Sequence, residues 1–175
     1  MSNLGGFLVA TAETLYTVRD ASMDDALAIV ELEKGIFPEG GTPGLWRMQA
    51  AIEHYAPGIK LAMLGDEIVG CVRGTMQPSH VNPERPDGSI VSLGVAEGHR
   101  RQGVGRLLLG EMVTEMQKDK PTGIDLYTRV SNLAMQGLAA EFNFAAEERV
   151  EDYYEQTAVP EDALYMVVRF GEAAD

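Results

Sequence analysis

Cysteine and histidine are scarce in this chain of 175 residues. Cys71 is the one cysteine, so no intrachain disulfide can form, which fits a reducing, cytoplasmic location. The three histidines are His54, His80 and His99, and their spacing matches no metal-ligand pattern. We therefore expect a cytoplasmic protein without a structural metal.

Basic residues and long apolar runs are also few. The 14 Lys and Arg residues are outnumbered by 27 Asp and Glu residues, which gives a formal charge of 14 − 27 = −13. Such acidity argues against binding nucleic acid or an anionic membrane through a broad basic face. No segment reaches the roughly 18 apolar residues that a membrane-spanning helix needs. Residues 1–12 carry no Lys or Arg before their short apolar stretch, unlike a secretory signal. We expect neither nucleic acid nor membrane as a partner.

Hydrophobic residues make up 45% of the chain, enough for the core of one domain. We predict this domain over residues 14–171, with residues 1–13 as a flexible lead-in or an extra edge strand. The apolar periodicity predicts the order β-α-α-β-β-β-α-β-α-β-β, an α/β fold (α+β, mixed sheet) with helices on both faces. Predicted strands cover residues 15–19, 59–64, 68–72, 89–95, 124–130, 149–154 and 164–170. Predicted helices cover residues 22–35, 45–55, 104–116 and 132–142, and predicted loops cover residues 36–44 and 77–88.

The strongest local signal is a glycine-rich turn between the strand at 89–95 and the helix that follows. It reads Gly98-His99-Arg100-Arg101-Gln102-Gly103-Val104-Gly105-Arg106, with three of the 14 basic residues. A turn that opens a helix exposes backbone N–H groups without an intrahelical partner, and these amides, together with the helix dipole, favour an anion. The turn therefore predicts a phosphate site, and an ordinary helix start with surface arginines is the alternative.

Two common phosphate motifs do not fit this turn. Gly98 and Gly103 have the Walker A separation, but Val104 and Gly105 follow where Lys and a hydroxyl residue are needed. Gly103 and Gly105 begin a dinucleotide pattern, but Leu108 stands where its third glycine belongs. The turn therefore predicts a different kind of phosphate ligand.

The segment Arg100-Arg101-Gln102-Gly103-Val104-Gly105 resembles the R/Q-x-x-G-x-G/A motif of the GNAT (Gcn5-related) N-acetyltransferases. The resemblance extends over residues 16–170 in element order and implies the GNAT acyl-CoA N-acyltransferase fold. In that family the fourth strand carries a bulge and splays from the fifth, and acetyl-CoA lies between them. The resemblance thus implies acetyl-CoA as cosubstrate and no metal. The residues that it implies for CoA are Leu93, Gly94 and Val95 at the pantetheine arm, Arg100, Arg101, Gln102, Gly103, Val104, Gly105 and Arg106 at the pyrophosphate, and Asn132 at the CoA arm or a water. For Asn132 the alternative is a plain helix N-cap.

Further segments resemble the N-terminal (protein α-amino) acetyltransferases, including the ribosomal-protein alanine group. They are Ser89-Ile90-Val91-Ser92-Leu93-Gly94-Val95 before His99, Arg129-Val130-Ser131-Asn132, Tyr153-Tyr154 with Glu161-Asp162-Ala163 and Met166, and Phe37-Pro38 at the entry to the acceptor loop. This resemblance implies a primary amine as acceptor, first of all a protein or peptide N-terminus. A small amine such as a polyamine, an amino acid or an aminoglycoside is the alternative acceptor. A CoA-binding module that has lost catalysis is the alternative of another class.

Both usual proton-transfer groups of the alanine group are missing. The position of its glutamate base holds Tyr127, and the position of its tyrosine acid holds Ala139. We take Tyr127, Glu31 and Tyr154 as the candidate catalytic residues. Further candidates are Glu33 as a base, Tyr153 beside the peptide, and Ser89, which stands where some of these enzymes place His or Tyr. The alternatives are a groove-wall role for Tyr127, a solvated helix face for Glu31 and Glu33, an ordinary strand position for Ser89, and proton transfer directly through water.

Acidic pairs surround the Tyr153-Tyr154 segment in sequence. They are Glu147-Glu148, Glu151-Asp152 and Glu161-Asp162. Tyr153 and Tyr154 fall within the strand predicted at 149–154, so one side chain should point into the acceptor groove and the other away. The acidic pairs would then flank the acceptor side, which suits a cationic amine. A homodimer is compatible with the sequence.

Overall fold

The computed structural model describes residues 16–37, 42–54, 57–79 and 86–171. The predicted lead-in at residues 1–13 and the predicted domain start at residue 14 lie outside the described residues. The strands are β1 (Thr17–Asp20), β2 (Pro57–Leu64), β3 (Glu67–Pro78), β4 (Pro86–Val95), β5 (Gly123–Arg129), β6 (Ala145–Val150) and β7 (Ala163–Arg169). The helices are α1 (Ala26–Ile36), α2 (Leu45–His54), α3 (Val104–Gln117) and α4 (Leu133–Glu141). The predicted element order is therefore confirmed.

The strands form one mixed sheet in the order β1-β2-β3-β4-β5-β7-β6. Neighbouring strands are antiparallel except β4 and β5, which are parallel. Helix α3 provides the connection between the parallel strands, as a crossover requires. Among the described residues, no helix is long and apolar enough to cross a membrane.

The helices cover the two faces of the sheet. On one face, α3 buries the stripe that its periodicity predicts, including Leu108, Met112 and Met116. On the other face, α1 and α2 pack on β2 and β3, with Ile29 and Met48 fully buried. Helix α1 also contacts β4 through its C-terminal half, where Glu33 meets Ser92 and Ile36 approaches Gly94.

The first helix begins as its capping sequence predicts, after one short 3₁₀ turn at Met23–Asp25. The Ser22 N–H donates to the Asp25 Oδ2 atom at 2.7 Å, which satisfies a backbone donor that the helix leaves free. Arg19 adds two hydrogen bonds of 2.7 Å to the same carboxylate. The helix itself runs from Ala26 to Ile36, one residue past the predicted end.

Two predictions of local structure are wrong. The loop predicted at residues 77–88 is shorter, because β3 continues to Pro78 and β4 begins at Pro86, where these two prolines pair at the ends of the strands. The strand predicted at residues 149–154 lies earlier, at Ala145–Val150. It ends there because Asp152 adopts a left-handed conformation, with φ at 54°. The Asp152 N–H donates a hydrogen bond to the Asp162 carboxylate at 2.9 Å instead of to a neighbouring strand.

Candidate active site

The fourth strand carries a bulge at Val91, and it separates from the fifth strand directly beyond. Arg73 of β3 pairs with Ser92 and Gly74 pairs with Ile90, so Val91 is the extra residue on β4. Strand β4 pairs with β5 only from Gly88 to Ile90. The remaining residues of the two strands, 91–95 and 127–129, diverge into a wedge-shaped opening. The expected bulge and splayed strand pair are therefore confirmed.

The glycine-rich turn lies at the end of this opening, between β4 and α3. Gly103 is the N-cap of α3 and adopts a left-handed conformation, with φ at 86°. A Cβ atom at Gly103 would meet no atom of the other described residues within 4 Å, so these residues leave the space above the turn open. The first amides of α3, from Val104 to Arg106, have no intrahelical acceptor. The turn therefore presents backbone donors to an open space.

The three arginines of the turn are exposed. The Arg100 Nε atom donates to the carbonyl oxygen of Val95 at 3.0 Å. Arg106 faces Glu141 across 3.4 Å. Arg101 has a left-handed backbone, with φ at 62°. Binding of phosphate by these arginines and of the pantetheine arm by Leu93, Gly94 and Val95 remains a prediction.

The buried Tyr16, which the sequence pattern did not indicate, contacts the turn from the side of the protein core. The Tyr16 hydroxyl donates to the Gln102 Oε1 atom at 2.8 Å and lies 3.1 Å from the His99 Nδ1 atom. Gln102 also donates to the carbonyl oxygen of Gly98 at 2.9 Å. Tyr16 precedes β1, so only the folded sheet brings it to residues more than 80 positions away. The side chains of His99 and Gln102 thus hold the turn in shape.

Gly94 lets the end of α1 approach the bulged strand. A Cβ atom at Gly94 would stand 3.1 Å from the Ile36 Cδ1 atom and 3.1 Å from the Phe37 Cζ atom. Phe37, which the resemblance places at the acceptor-loop entry, therefore packs on β4. Its predicted neighbour Pro38 lies outside the described residues.

Of the two candidate bases on α1, only Glu33 faces the sheet. Glu31 is exposed and pairs with Lys34 at 2.7 Å, and a catalytic role for it remains a prediction. Glu33 is fully buried; its Oε1 atom lies 3.1 Å from the Arg73 Nε atom and accepts from the Ser92 hydroxyl at 3.2 Å. Burial raises the pKa of Glu33, although Arg73 counteracts it. The helical period separates the two residues, because positions two apart point in different directions.

Tyr127 lies on β5 where the strand has parted from β4. Its ring stacks on Tyr153 with centroids 4.6 Å apart, and it contacts Tyr165 at 5.1 Å. The side chain is 40% exposed. Burial, and next the charge of Asp125, raise the pKa of Tyr127, so its phenol stays protonated and can donate.

Tyr153 and Tyr154 are not on a strand, so the predicted alternation of their side chains is wrong. They lie in the turns between β6 and β7. The Arg129 guanidinium stacks on the Tyr154 ring at 4.3 Å, and the Tyr154 hydroxyl donates to the carbonyl oxygen of Tyr127 at 3.4 Å. Arg129 also donates to the Val159 carbonyl and to the Thr157 hydroxyl, both at 2.7 Å. Arg129 thus fastens the connection between β6 and β7 to the end of β5.

Half of the acidic residues expected to flank the acceptor side serve internal contacts. Glu161 accepts from the Ser131 hydroxyl at 2.8 Å, and Asp162 pairs with Arg149 at 2.7 Å. Glu147 pairs with Arg169 at 2.6 Å. Glu161 therefore joins the connection between β6 and β7 to the segment after β5, and Glu147 and Asp162 contact residues across the β6–β7 pair.

Asn132 is the N-cap of α4. Its Oδ1 atom accepts from the Met135 N–H at 3.1 Å, which is the helix-cap alternative stated for it. Contact of Asn132 with CoA remains a prediction. Ala139, the position of the missing tyrosine acid, is fully buried in the core.

A carboxylate that the sequence reasoning missed lies beside Ser89. The Ser89 hydroxyl donates to the Asp125 Oδ1 atom at 2.7 Å. Burial raises the pKa of Asp125, and the neighbouring charge of Asp87 raises it further. The alternation on β5 could have placed Asp125 on the same face as Tyr127 and Arg129, but it could not have placed Ser89 against it.

A cavity of about 310 Å³ opens on this same face, beside the bulge. It is lined by Ala51 of α2, Gly58 and Ile59 of β2, Arg73, Gly74 and Thr75 of β3, and Val91 of β4. Its lining is mainly apolar. Among the described residues, no group of three or more His, Cys, Asp or Glu side chains could hold a metal ion.

Comparisons with known proteins agree with this geometry. A family model described as acetyltransferase (GNAT) family matches residues 26–144. An N-alpha-acetyltransferase of Sulfolobus acidocaldarius is 30% identical over 161 residues, which are 86% of this chain and 90% of the relative. An N-alpha-acetyltransferase of Saccharolobus solfataricus is 28% identical over 160 residues, which are 86% of this chain and 91% of the relative.

Solved structures share the fold. Arabidopsis thaliana Naa50, in complex with the bisubstrate analogue CoA-Ac-MVNAL, superposes with a TM-score of 0.76. It is 21% identical, and the match covers 89% of this chain and 99% of that one. At this identity the likeness concerns the fold alone.

Proposed function

The chain belongs to the GNAT acetyltransferase family, and on that premise we propose that it transfers the acetyl group of acetyl-CoA to the α-amino group of a protein or peptide N-terminus. An N-acetyltransferase activity follows from the family. The acceptor, and the residues that act on it, are the content of the proposal.

The observation that carries the proposal is the opening between β4 and β5, with the glycine turn at its end. Pairing of the two strands stops at Ile90, directly before the bulge at Val91, so the edge of β4 is free to bind an extended ligand. The open space over Gly103 and the free amides of α3 suit a pyrophosphate. The residues present therefore fit acetyl-CoA, whose thioester supplies the acetyl group.

Two observations support a peptide as acceptor. The two archaeal relatives are named N-alpha-acetyltransferases, and the match covers 86% of this chain. The connection between β6 and β7 presents Tyr153 and Tyr154 beside Tyr127, and Arg129 holds it in place. A fixed aromatic surface of this kind suits the backbone of an extended peptide.

In the proposed mechanism the chain positions both substrates on opposite sides of β4. The backbone of residues 93–95 would pair with the pantetheine arm, and the amides of residues 101–106 would hold the pyrophosphate. The backbone of the bulge would donate a hydrogen bond to the carbonyl oxygen that develops negative charge. Tyr127, with its protonated phenol, would return a proton to the departing sulfur.

The cavity beside the bulge favours a second candidate function, acetylation of a small amine. A volume of about 310 Å³ lies at the lower end of small-molecule sites. An amino acid or a comparable amine would fit such a space without needing the tyrosines between β6 and β7. The CoA-binding module without catalysis is the outcome if no amine is acetylated.

Release of free thiol from acetyl-CoA across a panel of amines tests the proposal. The panel contains peptides that differ at their first two residues, the same peptides with blocked N-termini, and free amino acids and polyamines. We expect turnover with free peptide N-termini and none with the blocked peptides. Turnover with small amines alone would support the second candidate. Binding of CoA without turnover would support the module.

A further inference from the structure

Ser89 and Asp125 occupy the last steps of the sheet before β4 and β5 separate. The two residues are register partners, and the pair that follows, Ile90 with Leu126, is the final one. Their side chains meet in a hydrogen bond of 2.7 Å from the Ser89 hydroxyl to the Asp125 carboxylate. The carboxylate therefore lies at the base of the opening, on a strand that carries the candidate acid Tyr127 two residues further along.

Asp125 shares a sheet face with a residue that lines the cavity. Thr75 pairs with Ser89, and Ser89 pairs with Asp125, so the three residues stand side by side on three neighbouring strands and share one face. Thr75 and the bulged Val91 both line the cavity. The Ser89–Asp125 pair therefore adjoins two lining residues of the cavity, Thr75 across the strand pair and Val91 two positions further along β4, without lining the cavity itself.

The groups that face Asp125 come from three strands and one connection. Asp87 and Ser89 lie on β4, Tyr127 lies beside it on β5, Tyr165 lies on β7, and Tyr153 lies on the connection after β6. Among the described residues, the cation that acts on this group is Arg169 of β7, which interacts with Asp87 and Tyr165 and pairs with Glu147 at 2.6 Å. An ammonium group entering this region would therefore meet Asp125 as its counter-charge, since the Asp87 carboxylate accepts a hydrogen bond from the Thr122 hydroxyl.

We propose that Asp125 is the general base of this enzyme, accepting the proton of the acceptor amine through one water molecule that the Ser89 hydroxyl helps to hold. This inference rests on the proposed acetylation of an amine. It assigns the role that a glutamate fills at position 127 in the alanine group to a carboxylate two residues earlier on the same strand.

The proton and electron balance of the step is complete. The ammonium group gives one proton by way of the water to Asp125, and its freed lone pair forms the nitrogen–carbon bond to the acetyl group. The carbon–sulfur bond breaks, and sulfur leaves with that electron pair. The second amine proton passes to sulfur through Tyr127 or water, and Asp125 returns its proton to solvent. The products are the acetylated amine, CoA as a thiol and one released proton.

The variant Asp125→Asn tests the inference, because an amide keeps the shape and can still accept from Ser89. We expect kcat to fall by about 100-fold, within the span of a general base, while KM for acetyl-CoA stays unchanged. The variant Asp125→Glu, which restores a carboxylate, should recover part of the loss. Thermal midpoints with and without CoA verify that each variant folds and binds the cosubstrate.

Asp87→Asn is the matched control. Like Asp125→Asn, this variant replaces one carboxylate by an amide, but the change is on β4 and Asp125 stays in place. Because Asp87 raises the pKa of Asp125, its removal should shift the acidic limb of the kcat/KM profile to lower pH without lowering the plateau. A carbon-13 titration of the Asp125 carboxyl in the ligand-free protein should show the same shift. If Asp125 had a merely structural role, the carbon-13 titration would still shift, but the acidic limb of the kcat/KM profile would stay in place.

The outcomes separate this inference from the proposed function. If wild type acetylates peptides and Asp125→Asn keeps its kcat within about 3-fold, Asp125 is not the base, whereas the proposed function stands. An acidic limb that stays in place in Asp87→Asn, while the titration of Asp125 shifts, also overturns the inference. If wild type acetylates no amine, the proposed function and the inference both fail.

Discussion

The Oε1 atom of Glu33 lies 3.1 Å from the Nε atom of Arg73, in an ion pair buried between α1 and the sheet. Arg73 also donates to the Ser92 hydroxyl at 2.8 Å, so the pair connects α1 with β3 and with the residue directly after the bulge. Among the described residues, this network joins the helix that leads to the acceptor loop with the strand that would bind the acetyl donor. Its stability therefore bears on the shape of the acceptor side.

The first prediction concerns the pH dependence of stability. Burial raises the pKa of Glu33 in the folded protein above its value in the unfolded chain. The folded state then binds more protons between the two pKa values, so the contribution of Glu33 is greatest below the unfolded pKa and falls as the pH rises through the folded pKa. As the pH rises from below the unfolded pKa to above the folded pKa, wild type should lose unfolding free energy relative to Glu33→Gln. The loss should be about 1.4 kcal/mol for each unit by which folding raises the pKa of Glu33.

Urea denaturation between about pH 4 and pH 8 measures this difference. Glu31→Gln is the control, since it removes an exposed ion pair with Lys34 that contributes little. If the unfolding free energy of wild type instead rose relative to that of Glu33→Gln as the pH increased, the prediction would be contradicted.

The second prediction concerns the glycine turn. Gly103→Ala should weaken CoA binding, because a Cβ atom strains the left-handed conformation and shifts the amides at the start of α3. Gly98→Ala in the same turn is the control, since Gly98 has no such conformation and a Cβ there meets nothing within 4 Å. With CoA at about 100 times its Kd, wild type should gain about 2.7 kcal/mol of stability, measurable as a rise in the thermal midpoint.

Equal gains for wild type and Gly103→Ala would show that the phosphates bind elsewhere. No rise with millimolar CoA in wild type would contradict binding of the cosubstrate itself.

The third prediction concerns proton donation to sulfur. Tyr127→Phe should lower kcat by at least about 10-fold and leave KM for acetyl-CoA nearly unchanged, because the hydroxyl acts mainly in the transition state. Tyr154→Phe is the comparison: its hydroxyl already donates to a backbone carbonyl, so its loss should change KM for the peptide rather than kcat. Steady-state kinetics with both substrates varied separates these effects.

If Tyr127→Phe and Tyr154→Phe both kept the kcat of wild type, water would be the group that donates the proton to sulfur. Restoring a tyrosine at position 139 would not replace it, because Ala139 is fully buried in the core and a ring there would be overpacked.

The fourth prediction concerns the connection between β6 and β7. Arg129→Ala removes the stacking on Tyr154 and the two 2.7 Å hydrogen bonds that fasten this connection. KM for a peptide should rise by about 10-fold, with KM for acetyl-CoA unchanged, since only the acceptor side is loosened. Arg169→Ala, which removes an exposed ion pair with Glu147, should leave both KM values unchanged. A rise in KM for acetyl-CoA alone would contradict the assignment of this connection to the acceptor.

Residues 98–106 show how much of the cosubstrate side can be predicted from the sequence. Glycines and arginines between a strand and a helix predict an anion site by local geometry alone, and Gly103 has the left-handed conformation that such a turn requires. The apolar stripe of α3 is predicted equally well, because periodicity defines the buried face of a helix. Strand β6 is not predicted at its true position, since five of its six residues are exposed and show no alternation.

The acceptor side depends on contacts between residues far apart in the chain. The sequence by itself determined the order of the elements, the glycine turn and the absence of the usual glutamate and tyrosine, because each is a property of adjacent residues. Only the tertiary structure decided that Glu33 rather than Glu31 faces Arg73, that Tyr153 and Tyr154 leave the strand, and that Ser89 meets Asp125. The helical period separates Glu33 from Glu31 but does not identify Arg73 as the partner of Glu33. The left-handed Asp152 and the register of the parallel strands decide the other two contacts, and neither is encoded in a local pattern.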